Sequence, residues 1–203
     1  MNDLLEILKS FNRKERFYLI SQALGNRDFK LASSFRNQVG GKLNIAIPEN
    51  SFVAMDYHLD WIYASLKYNK EGKDIYPKDD IISATQEDVD LIICFYESGY
   101  YHLILIEAKG ETSWTNKQFK SKAERLEKIF GKNGDNWNNV KPYFLIMSPR
   151  PSKKLNVNDL PDWMLKNDKL VWVQLDITSD LVKVIRCDES RSPSINGNYW
   201  KIE

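Results

Sequence analysis

The stretch from residue 88 to residue 110, "DVDLIICFYESGYYHLILIEAKG", constrains the fold more than any other part of the chain. Two apolar β-runs flank Ser98-Gly99, so the segment reads as a hairpin with a tight reversal. If Ser98 and Gly99 are the central turn residues, Glu97 pairs with Tyr100, Phe95 with His102, Ile93 with Ile104, and Asp90 with Glu107. Directly opposed residues share a face, with Cβ atoms about 4.5–5.5 Å apart. Lys109 lies two residues past Glu107 and joins that face. Three charged groups therefore meet at one end of an apolar hairpin, where burying charge is expensive.

Carboxylates this close repel, and one of them tends to stay protonated. A divalent cation resolves the conflict. Hard oxygen ligands on a rigid element suit Mg²⁺, which needs one or two carboxylates and completes its shell with water and substrate phosphate. Lys109 would stand beside the attacking water and favour negative charge developing there. The register decides the outcome, since a one-residue slip turns Asp90 away from Glu107. Asp88, on the face of Asp90, is then the spare acid.

Around the hairpin the pattern is mixed. Residues 3–24 read as one helix, with Leu4, Ile7, Leu8 and Phe11 at three- and four-residue steps and Gly25-Asn26 as its end. Residues 29–39 read as a second helix stopped by Gly40-Gly41. A third is expected over 54–68, where Met55, Leu59, Ile62 and Leu66 make an apolar stripe flanked by Asp56 and Asp60. After the hairpin, residues 113–132 form a helix that buries Phe119, Ala123, Leu126 and Phe130. Residues 142–149 are nearly all apolar and read as a central strand. Residues 169–177 and 181–188 are expected to form a final strand pair.

The order implies an α/β fold, bordering on α+β: a central mixed β-sheet flanked by helices. Residues 1–54 are expected as an N-terminal helical extension packed on the core, and residues 55–203 as the core itself.

The hairpin, the following helix and the next strand together resemble the PD-(D/E)XK nuclease superfamily, the restriction-endonuclease-like fold. "EDVDLII" supplies Asp90 and "LIEAKG" supplies Glu107 and Lys109. Val89 stands where the family name has proline. The resemblance covers about residues 55–150. It implies a restriction-endonuclease-like core and Mg²⁺-dependent hydrolysis of phosphodiester bonds, DNA first, with Mn²⁺ able to substitute. It implies that Asp90 and Glu107 bind the metal and that Lys109 assists the water. The family often adds an acid from the helix before the hairpin, a role for which Asp56 and Asp60 are the candidates. Gln or a basic residue in the following helix also recurs there, which points to Gln118 and Lys122.

Lys117, Lys120 and Lys122 precede Arg125 and Lys128 on that helix, and could hold a phosphate backbone, with Trp114 placed to stack on a splayed base. Arg150, Lys153 and Lys154 form a second basic group. The formal net charge of +1 means that any basic surface is local and balanced elsewhere. Two cysteines without metal or disulfide spacing suggest a reducing cytoplasm. No run approaches the ~18 apolar residues of a membrane span. The N-terminal helices would suit a partner protein or a homodimer contact. The alternative function is a catalytically silent nuclease-like module that binds nucleic acid or protein.

Overall fold

The hairpin forms in the expected register. Strand β2 (Asp88–Glu97) and strand β3 (Tyr100–Ala108) pair antiparallel from Glu97↔Tyr100 to Leu91↔Ile106. Ser98 and Gly99 both have positive φ, 52° and 87°, as a type I′ turn requires at its two central positions. The computed structural model describes residues 3–82, 87–110, 114, 116–152, 155–178 and 182–203, without the side chains of residues 117 and 118. Lys153 and Lys154 lie outside the described residues.

The hairpin sits within a six-stranded mixed sheet of order β1-β2-β3-β4-β6-β5. Strand β1 (Phe52–His58) pairs antiparallel with β2, and β4 (Val140–Ser148) and β6 (Lys169–Gln174) continue the sheet in parallel beyond β3. The short β5 (Leu165–Lys166) closes the edge against β6. β4 is central, as its apolar run predicts.

Helices cover both faces. On one face, α1 (Leu4–Ser10), α4 (Leu59–Glu71) and α5 (Asn116–Phe130) bury Leu4, Leu8, Ile62, Leu66, Leu126 and Phe130 against Ile92, Leu103 and Leu105. On the other, α3 (Ser33–Leu43) brings Val39 over Ile93, Ile104 and Leu145. Each such fully buried side chain contributes about 1.5–3 kcal/mol of transfer free energy. The fold is therefore α/β, a mixed sheet between helical layers. Among the described residues, no helix is long and apolar enough to cross a membrane.

Five expectations change. The first expected helix is two, α1 and α2 (Glu15–Ala23). Between them Arg13 donates to the carbonyls of Leu8, Lys9 and Phe11 and stacks on Phe17 and Phe52, ending α1 where periodicity alone would continue it. Secondly, α3 runs through Gly40-Gly41 to Leu43. Gly40 is an interior close-approach site, because a Cβ there would stand 2.5 Å from the Ile45 carbonyl oxygen. Thirdly, residues 54–58 are strand, and only Leu59 onward is helix, so Asp56 lies on β1. Pairing with β2 overrides the helical spacing of Met55. The fourth change concerns the expected final pair: β6 joins the main sheet, while β7 (Val184–Cys187) pairs with β8 (Tyr199–Ile202) in a separate hairpin. Lastly, Trp114, expected to stack on a splayed base, is 8% exposed and belongs to the core.

Candidate active site

Asp56, Asp90 and Glu107 stand in one row across three neighbouring strands. The β1–β2 ladder pairs Met55 with Leu91 and Tyr57 with Val89, which sets Asp56 against Asp90. The β2–β3 ladder ends at Leu91↔Ile106, which sets Asp90 against Glu107 at the next rung. There the Asp90 carboxylate replaces the backbone rung by accepting the Ala108 N–H at 2.6 Å. This amide adjoins Glu107, so the contact holds the two acids together.

The strands change phase at this row. Phe52, Ala54 and then Tyr57 face the same core cluster, as do Cys94, Ile92 and then Val89. Strict alternation would put Tyr57 and Val89 on the other face. Asp56 absorbs the switch with φ 51°, in the left-handed region that Asp tolerates better than most side chains. Asp56 is thereby buried, 8% exposed, although it is charged. One of its oxygens, Oδ1, is 3.0 Å from Arg16 Nη2. Its other oxygen, Oδ2, is buried with no hydrogen-bond partner among the described residues. Burial pushes the Asp56 carboxyl above its usual range. Arg16 works against the shift, while Asp88 and Asp90 reinforce it.

Glu107 is 7% exposed and faces the α4–α5 layer. Lys122 of α5 reaches it and also donates to the Asp88 carbonyl at 2.6 Å. Two influences oppose each other here. Loss of water raises the Glu107 pKa, the Lys122 ammonium lowers it, and the Asp90 and Asp88 carboxylates raise it again. The balance is a carboxyl pushed up to about 7. The direction is upward because the Lys122 ammonium does not offset both burial and the repulsion of Asp90 and Asp88.

Lys109 follows the end of β3. Its backbone N–H donates to the Met147 carbonyl at 2.8 Å, which extends the β3–β4 pairing and fixes the residue in place. Its side chain is half-buried, and among the described residues it makes no hydrogen bond or ion pair. Among the described residues, the Lys109 ammonium is therefore not engaged by a carboxylate.

The other expected residues are placed differently. Asp60, in the first turn of α4, pairs with Arg125 of α5, which also holds Glu87 at 3.3 Å. Asp60 thus ties two helices together, and Asp56 is the acid that joins the row. Lys122 points inward to Glu107 rather than outward to a phosphate backbone, because the buried carboxylate needs a counter-charge. Lys120 is exposed on α5, with Glu124 at 3.9 Å. The side chains of Lys117 and Gln118 lie outside the described residues.

Lys14 and Arg16 give no sign of their position in the sequence. They come from the segment after α1, yet Lys14 pairs with Asp88 and Arg16 with Asp56. Their basic character is visible along the chain, but no local pattern predicts contacts across 40 to 74 positions.

The donor set suits a hard cation: carboxylates only, one with an unpartnered oxygen and one whose pKa is raised chiefly by burial. Among the described residues, no group of three or more His, Cys, Asp or Glu side chains forms a ready-made metal cage. The fit is to the pattern of one or two carboxylates completed by water and phosphate. No family model, curated protein or solved structure matches the chain.

Proposed function

We propose that the chain is a divalent-metal-dependent nuclease of the PD-(D/E)XK type that hydrolyses phosphodiester bonds, with DNA as the first substrate to test. One observation carries the reading: Asp90 and Glu107 meet at the hairpin's end with Lys109 one alternation further on. The arrangement of β1, β2 and β3 antiparallel, then α5, then β4 parallel to β3 supports it as well.

Asp90 and Glu107 would hold Mg²⁺, with the free oxygen of Asp56 available beside them. The cation, when bound, supplies charge neutralisation at the phosphate and makes a nearby water more acidic. Lys109 orients that water and stabilises the charge that grows as its proton leaves. Asp90, fixed by the Ala108 amide, presents its remaining oxygen without having to reorganise. Glu107 must lose its proton to act as a ligand, and Lys122 must share the carboxylate or yield it.

The test is cleavage of single- and double-stranded DNA and RNA with Mg²⁺ or Mn²⁺, together with calorimetric titration of Mn²⁺. Lys109→Ala should lower kcat by about 10²–10³ and leave Mn²⁺ binding in place. Asp90→Ala should abolish Mn²⁺ binding. The reading is refuted if no nucleic-acid form is cut and Lys109→Ala matches the native chain in both metal and nucleic-acid binding. A catalytically silent binding module is the second reading. It is favoured by the internal cation found on each of Asp56, Asp88 and Glu107, and Mn²⁺ binding that survives Asp90→Ala would establish it.

A further inference from the structure

The residues that lead away from the acidic row point to where a substrate strand runs. A cavity of about 400 Å³ opens where the chain between α1 and α3 crosses the start of β1. Its wall carries four cations, Lys9, Arg13, Arg27 and Lys30, and its apolar floor includes Phe17 and Phe52. Asp28 and Glu49 also line it, leaving an excess of positive charge.

The four cations are not equivalent. Lys9 has Glu6 at 2.7 Å, but both side chains are more than half exposed, so the pair is weak and exchangeable. Arg13 gives its N–H groups to three backbone carbonyls and stacks on Phe17 and Phe52 at 5.2 and 5.3 Å. These neutral partners fix the guanidinium without cancelling its charge. Arg27 and Lys30 are exposed, and among the described residues no carboxylate pairs with either. Positive charge held on an apolar floor, with exposed cations at its rim, is the arrangement that tracks a phosphate backbone.

The cavity and the acidic row share β1. From Phe52 at the cavity to Asp56 in the row is four residues, roughly 13 Å of strand, a separation of a few nucleotides along a bound backbone. The connection between α1 and α2, with the first turn of α2, serves both places. Arg13 turns into the cavity, Lys14 reaches Asp88, and Arg16 reaches Asp56.

We propose that this groove binds the sugar-phosphate backbone of a nucleic-acid strand whose scissile phosphate lies at the acidic row. The N-terminal extension is then the substrate-binding element. The proposal takes its ligand class from the nuclease reading, but its own test does not need cleavage.

The test is fluorescence anisotropy with the full chain in EDTA, using a short labelled single strand of DNA, the matching RNA, and a duplex. Arg27→Glu/Lys30→Glu should weaken binding by about tenfold or more and reduce the salt slope of single-strand binding by about 1.4, two phosphate contacts at ~0.7 each. Lys132→Glu, an exposed reversal elsewhere, should stay within about twofold, as a change in net charge alone predicts. Arg27→Gln/Lys30→Gln, with thermal unfolding unchanged, covers the case in which the double reversal misfolds, and should show a smaller loss in the same direction. Unchanged affinity in both groove variants, or an equal loss in Lys132→Glu, overturns the proposal. Groove-dependent binding without metal-dependent cleavage upholds the groove as a backbone-binding site while the nuclease reading, and with it the scissile position, falls. Cleavage that ignores the groove variants does the reverse. Whether DNA or RNA binds more tightly identifies the sugar.

Discussion

Replacing Glu107 with Gln tests the electrostatics of the row directly. Glu107 has its carboxyl raised from the ordinary 4.5 to about 7, first by burial and then by Asp90 and Asp88 against the pull of Lys122. Between these two values the folded chain holds a proton that the unfolded chain has released. Stability therefore falls as pH rises through that window, and the loss is complete above the folded value. Integrating the linkage from pH 5 to pH 8 gives a loss on the order of 2–3 kcal/mol assigned to this one carboxyl. Glutamine keeps the shape, carries no charge and cannot titrate.

The measurement is urea unfolding of the native chain and Glu107→Gln in EDTA at several values between pH 5 and pH 8. Other titrating groups are common to both chains and cancel in the difference. A constant cost from leaving Lys122 without its partner also cancels, since only the change with pH is read. The stability difference should move in favour of Gln by roughly 2–3 kcal/mol over that range. A difference that stays flat would refute the assignment of a raised pKa. A shift in favour of Glu as pH rises would mean that Lys122 keeps the carboxylate ionised and that its contact outweighs burial.

Two further substitutions test the framework that carries the row. Gly40→Ala forces a Cβ against the Ile45 carbonyl oxygen at 2.5 Å, and should cost about 1–3 kcal/mol in chemical denaturation, as overpacking does. Arg125→Met leaves Asp60 and Glu87 without their shared counter-charge at a guanidinium that is 10% exposed; breaking a pair at such depth should cost about 3–5 kcal/mol, and a loss below about 1 kcal/mol would place Arg125 among ordinary surface ion pairs.

The parts of the molecule that were legible in the sequence are those set by short-range rules. Ser98-Gly99 determines the hairpin register, and the register brings Asp90 to Glu107. The α5 stripe of Phe119, Ala123 and Leu126, and the apolar run of β4, also depend only on local periodicity. β1 was hidden because Met55, Leu59, Ile62 and Leu66 keep a helical spacing across a boundary that pairing with β2 places at Leu59. The helical spacing therefore puts Asp56 on a helix, whereas pairing sets it on β1 in the rung opposite Asp90. Gly40-Gly41 resembled a stop because glycine usually is one. Its actual reason, the approach of the Ile45 carbonyl, exists only once the chain has turned back.

The same distinction explains why the row could be read and its surroundings could not. Two acids face each other because a two-residue turn leaves their strands no other register. Lys14, Arg16 and Lys122 arrive there from different elements because a buried group of carboxylates draws in whichever cations the packed chain brings within reach. A cation chosen in this way is exchangeable in principle: what the carboxylates require is positive charge, not a particular side chain. A divalent ion can satisfy that requirement at Asp90 and Glu107 and free Lys122 in the process. Arg16 lies three residues past Arg13, whose side chain lines the cationic groove. The acids and the groove are thus two ends of one charge arrangement, joined by the connection between α1 and α2.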